Sequence, residues 1–479
     1  MTAPRRRDTP SLPPRIERVH LIGICGTGMG ALAGMLKDSG YAVQGSDKGA
    51  YPPMSTWLAE RHIDIMTGFD PSHLDGDPDL VVVGNVARRD NPEAVEAERR
   101  GIPCLSFPEV IRTLFLKDKT SLIVTGTHGK TTTSALLAWL LEAAGLKPSF
   151  MIGGVTGNFD SNFKLDQGDP FVIEGDEYDS AFFDKVPKFW HYEPALATIN
   201  NIEFDHADIY PDIAEIERVF ARFAALLPPH GALWVNGDDP RALTAAEAAT
   251  CPVRTFGLGP DNDLHPTEIV HTPSGVTSRL CLDGNDLGLF ESPLPGDHNV
   301  RNLMGALALA LAQGAPLDAC RAALPDFKSV KKRQELKGSP RGILVYDDFA
   351  HHPTAVRETL RAIRGRHPDA RLWAIFEAKS NTSRMAIFQD DYPPAFEDAN
   401  AVILSAPWRQ ETSSDEGRID IPRLVDALRL TGTPADLIAD VEAIVDHLAP
   451  LLSPGDVVVG MSGSNFAGFH DRLIARLTT

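Results

Sequence analysis

Short apolar runs recur along the 479-residue chain, separated by stretches in which apolar positions return every three or four residues. The runs are Arg18–Gly23, Val43–Asp47, Leu80–Val83, Ile102–Leu105, Leu122–Val124, Phe171–Glu174, Ala195–Ile199, Ala232–Asn236, Gly342–Tyr346, Leu372–Phe376, Ala401–Leu404 and Asp456–Gly460. They are near-continuously apolar rather than alternating, which predicts strands buried on both faces, as in parallel sheets covered by helices. Helical spacing follows the first glycines up to Lys37, runs from Ser134 to Ala144 with Gly145 as the stop, and returns at Leu303–Leu311. From Phe256 to Pro293 the composition turns to Gly, Thr, Asp and Pro with short alternating runs, predicting small antiparallel strands at a sheet edge. The expected architecture is α/β in three domains: residues 16–116, 117–326 and 327–479, after a disordered tail over 1–15.

A formal net charge of −19 argues against nucleic acid as the main partner, because phosphate-backbone binding needs clustered Lys and Arg. It leaves room for a phosphorylated small molecule in a local basic pocket. The five cysteines, Cys25, Cys104, Cys251, Cys281 and Cys320, are scattered, which predicts neither a disulfide framework nor a thiolate metal site and suits the cytoplasm. The basic start of the chain has no apolar region behind it, and no apolar run reaches membrane-spanning length. No membrane association and no obligate protein partner are expected.

The stretch with the clearest chemistry is Ser121-Leu-Ile-Val-Thr-Gly126-Thr127-His128-Gly129-Lys130-Thr131-Thr132-Thr133. A strand, a glycine loop, Lys-Thr and a helix make a phosphate cradle, with backbone N–H groups and a helix N-terminus facing the anion. Lys130 is placed to reach the outer phosphates and the Thr131 hydroxyl to hold Mg²⁺. Val124 stands where the general pattern has its first glycine, so this is the narrower form Gly-Thr-x-Gly-Lys-Thr. Two later strand ends of the same domain carry suitable metal donors: Glu174, and His206 in Asn200-Asn-Ile-Glu-Phe-Asp-His206. The neighbouring Asp176 and Asp179 read as a solvated acidic turn. Asn299 and Asn302, three apart at the head of a helix, share one face.

In the first domain, Gly23-Ile-Cys-Gly26-Thr27-Gly28-Met29-Gly30 leads into a helix, and Asp47 ends the second strand. This is a Rossmann-like fingerprint, with Asp47 placed for a ribose hydroxyl. With Asn85 at the end of a further strand, these residues gather at the carboxyl edge of the sheet, where a nucleotide-linked ligand is expected. A nicotinamide-dependent dehydrogenase shares this pattern, and the glycines do not decide between ligands. In the last domain each strand leads into a polar loop: Asp347-Asp348-Phe-Ala-His351-His352-Pro353, Glu377-Ala-Lys379-Ser380-Asn381-Thr382, Ser405-Ala-Pro-Trp408 and Met461-Ser-Gly-Ser-Asn465. A basic junction, Lys328-Ser-Val-Lys-Lys-Arg333, precedes it.

Taken together these motifs resemble the Mur ligases, ATP-dependent enzymes that build the peptide of bacterial cell-wall precursors, from Gly23 to about Asn465. The resemblance implies a Rossmann-like N-terminal domain for a UDP-sugar, a P-loop ATPase-like central domain, and a Rossmann-like C-terminal domain for the incoming amine. It assigns Gly126–Thr132, Asn299, Asn302 and Arg333 to ATP, and Thr131, Glu174 and His206 to magnesium. It gives catalytic roles to Lys130, Glu174, His206, Arg333 and Asp348. Gly26, Thr27, Gly28, Met29, Asp47, Asn85, His352, Lys379, Ser380, Asn381 and Thr382 fall to the substrates. The implied reaction activates a muramoyl carboxylate as an acyl phosphate, which the amine then attacks.

Within the family the glycine loop and Asp348-Phe-Ala-His-His-Pro353 are similar to the ligases of UDP-N-acetylmuramate. Tyr51-Pro-Pro-Met-Ser-Thr56, Glu177-Tyr-Asp-Ser-Ala-Phe-Phe-Asp184 and Ser380-Asn-Thr382 resemble the recycling branch, whose amine is the tripeptide L-alanyl-γ-D-glutamyl-meso-diaminopimelate. The nearest rival joins L-alanine instead. Two positions depart from family patterns: Lys379 replaces an arginine, losing the bidentate fork, and Ala221 stands where some members carry a carbamylated lysine. A dehydrogenase and a non-catalytic nucleotide-binding protein are the alternatives from other classes; neither needs Lys130, Glu174 and His206 together.

Overall fold

The computed structural model describes residues 7–52, 54–406 and 417–479. The loop beginning Ser405-Ala-Pro-Trp408 passes outside the described residues after Ala406, as does Pro53. Three sheets organise the chain.

The first sheet has five parallel strands in the spatial order Asp64–Thr67, Ala42–Asp47, Arg18–Ile22, Leu80–Val83, Cys104–Ser106. Its central strands are wholly buried at Leu21, Ile22 and Val81–Val83, as their unbroken apolar sequence requires. The chain reverses from Arg18–Ile22 through the glycine loop into the helix Thr27–Asp38, whose N-cap, Gly26, brings no side chain to the free N–H groups.

The second sheet is larger than the sequence suggests. Ten strands run from Asn285–Ser292 at one edge to Ser161–Lys164 at the other. The strands expected at Gly275–Leu282 and around it are antiparallel, as read, but they continue the parallel sheet through Leu264–Thr272. At its centre Thr120–Thr125 lies between Pro170–Gly175 and Leu196–Ile199, with Thr125 level with Gly175 on one side and Ile199 on the other. This register brings the phosphate-binding loop, Glu174 and Asn200 to one edge. The helices Lys130–Ala143 and Asp297–Ala312 are apolar around most of their circumference and buried accordingly.

The third sheet has six strands, ordered Glu335–Gly338, Leu344–Asp348, Val457–Ser462, Leu372–Glu377, Ala401–Ser405, Ala435–Ile438, with the first antiparallel. The junction before it belongs to both neighbours. Lys331 N–H donates to Val155 O of the second domain at 2.9 Å, and Phe349 N–H donates back to Lys332 O at 2.9 Å. Ser329, Lys332 and Gln334 hold left-handed φ values of 59°, 60° and 49°, a conformation that costs non-glycine residues energy and so marks a tightly determined turn.

The segment expected as a tail, residues 1–15, contains a side chain with defined partners. Arg7 makes a bidentate pair with Glu109 at 2.7 and 2.9 Å and lies 3.9 Å from the centre of the Phe183 ring. Composition missed this because the guanidinium finds its partners far along the chain. No described helix is long and apolar enough to cross a membrane.

Candidate active site

A cleft of about 1270 Å³ lies between the second and third domains. It is lined by the phosphate loop from Thr127 to Thr132, by Glu174 and His206, by Asn299 and Asn302, and by Arg333, Asp348, His352 and Ser380. The structure thus brings together most of the residues read from the middle and last domains.

The loop is rigidly built. Gly129 has φ +81°, and a Cβ placed on it meets Asn302 Oδ1 at 2.3 Å, so glycine is required for both conformation and space. Asn302 accepts from the Thr133 hydroxyl at 3.2 Å and donates to Asn299 at 3.0 Å. The two asparagines therefore brace the loop from behind. Asn201 holds His128 through both its backbone groups, at 2.7 and 3.2 Å.

Lys130 Nζ donates to Gly126 O at 2.7 Å and to Glu177 Oε2 at 2.9 Å. Burial opposes its charge, but Glu177, Asp176 and Glu174 outweigh that and hold its pKa above the ordinary value. The Thr131 hydroxyl donates to Glu174 Oε1 at 2.9 Å and accepts from Arg333 at 3.2 Å. Glu174 Oε2 accepts Gly153 N–H at 2.7 Å. Burial, reinforced by Asp176, pushes the Glu174 carboxyl upward. A hydroxyl and a half-buried carboxylate side by side are hard oxygen donors of the kind Mg²⁺ takes, and extra positive charge there would relieve the crowding of acidic groups.

Asp348 lines the cleft from the third domain. It is buried, accepting Gln334 N–H at 2.8 Å and Ala350 N–H at 2.7 Å, so it fixes the turn that carries Arg333. His352 is likewise engaged on both ring nitrogens: Thr354 N–H donates to Nδ1 at 3.2 Å, and Nε2 donates to Phe204 O at 3.2 Å. His351 donates through Nδ1 to Phe349 O at 2.9 Å.

Ser380, Asn381 and Thr382 were expected to meet a peptide. Ser380 lines the cleft, but Asn381 donates to Asp208 Oδ2 at 2.8 Å and the buried Thr382 hydroxyl donates to Asp205. In this conformation they join the third domain to the second. Lys379 Nζ lies 3.5 Å from Glu377.

Gly26, Thr27, Gly28, Asp47 and Asn85 stand at the carboxyl edge of the first sheet, outside this cleft. Gly26 to Gly28 and Asn85 are exposed there, whereas Met29 is buried in the first turns of its helix. One Asp47 oxygen accepts Cys25 N–H at 2.9 Å, which shapes the glycine loop.

Two carboxylates escaped the sequence reading. Asp176 is no solvated turn residue: it lines the cleft and accepts from Lys188 at 3.0 Å. Glu177 is buried, with Lys130 on one side and His206 Nε2 at 3.1 Å on the other. A clue was present, since both follow a buried strand that ends at the loop's edge.

Three family profiles account for most of the chain: the Mur ligase family catalytic domain over residues 18–118, the Mur ligase middle domain over 124–310, and the Mur ligase glutamate ligase domain over 332–464. The chain belongs to the Mur ligase family and is an ATP-dependent amide-bond ligase. It is 39% identical, over 95% of its length and 97% of the relative's, to UDP-N-acetylmuramate--L-alanyl-gamma-D-glutamyl-meso-2,6-diaminoheptandioate ligase of Escherichia coli. It is 35% identical to UDP-N-acetylmuramate--L-alanine ligase of Mycolicibacterium gilvum, over 98% of each chain. The solved murein peptide ligase of Psychrobacter arcticus superposes with a TM-score of 0.72 at 33% identity, covering 97% of this chain and 99% of the other. Membership in the ligase family removes the dehydrogenase reading of the glycine loop.

Proposed function

We propose that this ligase joins UDP-N-acetylmuramate to the tripeptide L-alanyl-γ-D-glutamyl-meso-diaminopimelate, with Mg²⁺ and ATP, in the cytoplasm. The observation that carries the choice of amine is full-length likeness to two ligases of that name, at 39% and 37% identity. The geometry supports the chemistry. Lys130 and the N-terminus of Lys130–Ala143 face the space where phosphates bind, and Thr131 with Glu174 offers the metal its oxygens. Attack of the muramoyl carboxylate on the γ-phosphorus forms the acyl phosphate and breaks the bond to the β-phosphate, releasing ADP; it brings two anions together, so positive charge fixed in advance at this edge lowers the barrier. The tripeptide's amine then displaces phosphate from the acyl phosphate, and docking of the third domain on the second keeps water from competing. The first domain, taken as 16–116, presents its uncapped helix N-terminus and Asp47 to the UDP-sugar; the regions 117–326 and 327–479 hold ATP and the peptide.

The alternative amine is L-alanine, favoured by relatives such as the Mycolicibacterium gilvum ligase. Phosphate release from ATP with UDP-N-acetylmuramate and either amine decides the matter. We expect kcat/KM for the tripeptide to exceed that for L-alanine by at least about 100-fold, the separation produced by two lost buried hydrogen bonds. A higher value for L-alanine transfers the assignment to the alanine ligase.

A further inference from the structure

The phosphate loop carries a histidine whose ring has no evident task in phosphate binding. Asn201 clamps the His128 backbone, and Thr127 is tied to Glu203 by the Glu203 N–H, which donates to the Thr127 hydroxyl at 2.8 Å. The His128 ring is thereby set beside the Glu203 carboxylate and beside His352 of the third domain, with 4.7 Å between the imidazole centres.

His128 Nε2 lies 3.5 Å from Glu203 Oε2, and His352 Nδ1 lies 3.6 Å from the same oxygen. Both are beyond the 2.7–3.2 Å of a good N–H···O hydrogen bond. His128 Nε2 is shielded from solvent and has no hydrogen-bond partner among the described residues. His352 Nδ1 accepts Thr354 N–H at 3.2 Å, so it carries a lone pair, and that lone pair stands near a carboxylate oxygen with no proton of its own to offer. The remaining donor to Glu203 Oε2 is the Thr354 hydroxyl at 2.7 Å. The three ligand atoms all lie within 4.8 Å of one another.

These separations suit an inserted ion better than direct contact. Ligand atoms about 2.0–2.1 Å from a tetrahedral metal stand about 3.4 Å apart. Two imidazoles and one carboxylate form an N, N, O set that suits Zn²⁺ and its neighbours, whereas Mg²⁺ prefers oxygen and octahedral geometry.

We propose that His128, Glu203 and His352 form a binding site for a divalent ion of the Zn²⁺ class, separate from the Mg²⁺ ligands Thr131 and Glu174, with its fourth position open to the cleft. Binding exchanges the long Thr354–His352 hydrogen bond for a coordinate bond and leaves the Thr354 hydroxyl orienting Glu203 from behind. Two ligands come from the second domain and one from the third, so the ion ties the phosphate loop to the domain that closes over it.

The test uses the untagged full-length chain, stripped with chelator and then titrated with Co²⁺ in excess Mg²⁺. One equivalent should bind with the visible absorption of four-coordinate tetrahedral Co²⁺, and Zn²⁺ should displace it one for one. His128→Ala and His352→Gln should each weaken Co²⁺ binding at least about tenfold, while Glu174→Gln leaves it unchanged. His352 caps a helix, so circular dichroism checks its variant; His128 lies in a loop, and its variant decides the case if the other does not fold. Absence of the tetrahedral spectrum, displacement of Co²⁺ by millimolar Mg²⁺, or binding unmoved by His128→Ala overturns the proposal.

Discussion

The Glu177 carboxylate reaches Lys130 at 2.9 Å and His206 at 3.1 Å. Burial favours its neutral form, but Lys130 and His206 outweigh this and hold its pKa below the ordinary carboxylate range. Lys130, the lysine proposed to meet the phosphates, is therefore held in an ion pair with Glu177. Lys130→Ala should lower turnover by on the order of 10²-fold or more and also strand a buried carboxylate, costing about 3–5 kcal/mol of stability. Pairing it with Glu177→Gln should restore much of the stability and none of the turnover. Phosphate-release kinetics beside urea unfolding check both; near-normal turnover in a folded Lys130→Ala protein ends the role given to the loop.

Glu174→Gln keeps the shape beside Thr131 but removes the charge that a magnesium ion would neutralise. The Mg²⁺ concentration for half-maximal activity should rise by about tenfold or more, with the maximal rate partly recovered at high Mg²⁺. His206→Ala should raise the same requirement, since it removes a donor and leaves Glu177 one partner fewer. Titration of activity against Mg²⁺ at saturating ATP checks this, and unchanged curves for both variants return the two residues to purely structural roles.

The strands and the loop chemistry were legible because parallel strands buried on both faces leave unbroken apolar runs, and because their ends carry the reactive residues. Lys130, Thr131 and Glu174 follow directly from that rule. Glu177, the pairing of Thr382 with Asp205, and the meeting of His128, Glu203 and His352 do not. Each joins residues far apart in the chain, and neither periodicity nor local spacing records which loops of separate sheets will touch. Arg7 was hidden for the same reason: a basic residue in a Pro-rich segment reads as tail until Glu109 and Phe183 are placed beside it.

Two buried histidines should make the fold acid-sensitive. Burial, helped by Arg301, pushes His298 down to about 4, and burial likewise brings His470 to about 4. In the unfolded chain both titrate near 6.5, so between about 6.5 and 4 the unfolded state binds protons that the folded state does not. Their contribution is present above about 6.5 and is lost as pH falls through 4. Asp347 acts the other way: burial raises it to about 6, so its contribution declines as pH rises from about 4 to 6. His352, which burial also brings to about 4, adds to the two, so with three histidines against one carboxyl stability should fall on acidification across this window. Denaturant midpoints measured from pH 7 to 4 check the slope, and His470→Gln should flatten it; a midpoint that rises on acidification refutes the balance.

Thr382→Val removes the hydroxyl that serves Asp205 and keeps the side-chain shape. Asp205 is buried and retains His206 N–H at 2.6 Å, so the loss is one donor. Leaving that oxygen short of a partner should cost about 1–3 kcal/mol, read as a lower urea midpoint. Equal stability in the two proteins shows that the contact between domains carries no net energy.

We propose that the charge of Lys379 helps to select the peptide. Of the four residues after strand Leu372–Glu377, Asn381 and Thr382 are occupied with Asp208 and Asp205, and Ser380 exchanges hydrogen bonds with Ser383. Lys379 carries a positive charge, 3.5 Å from Glu377 and part-exposed. The tripeptide carries several carboxylates and L-alanine only one, so a cation at this loop would discriminate between them through charge-assisted hydrogen bonding. Lys379→Ala should raise KM for the tripeptide by about tenfold, the cost of about 1.4 kcal/mol in a hydrogen bond to a charged group, while KM for ATP stays within twofold. Lys379→Arg should retain or improve tripeptide use, because its fork pairs with a carboxylate through two bonds. If Lys379→Ala changes the kinetics of L-alanine and tripeptide equally, selection lies elsewhere, and His351, which lines the cleft, becomes the residue to vary.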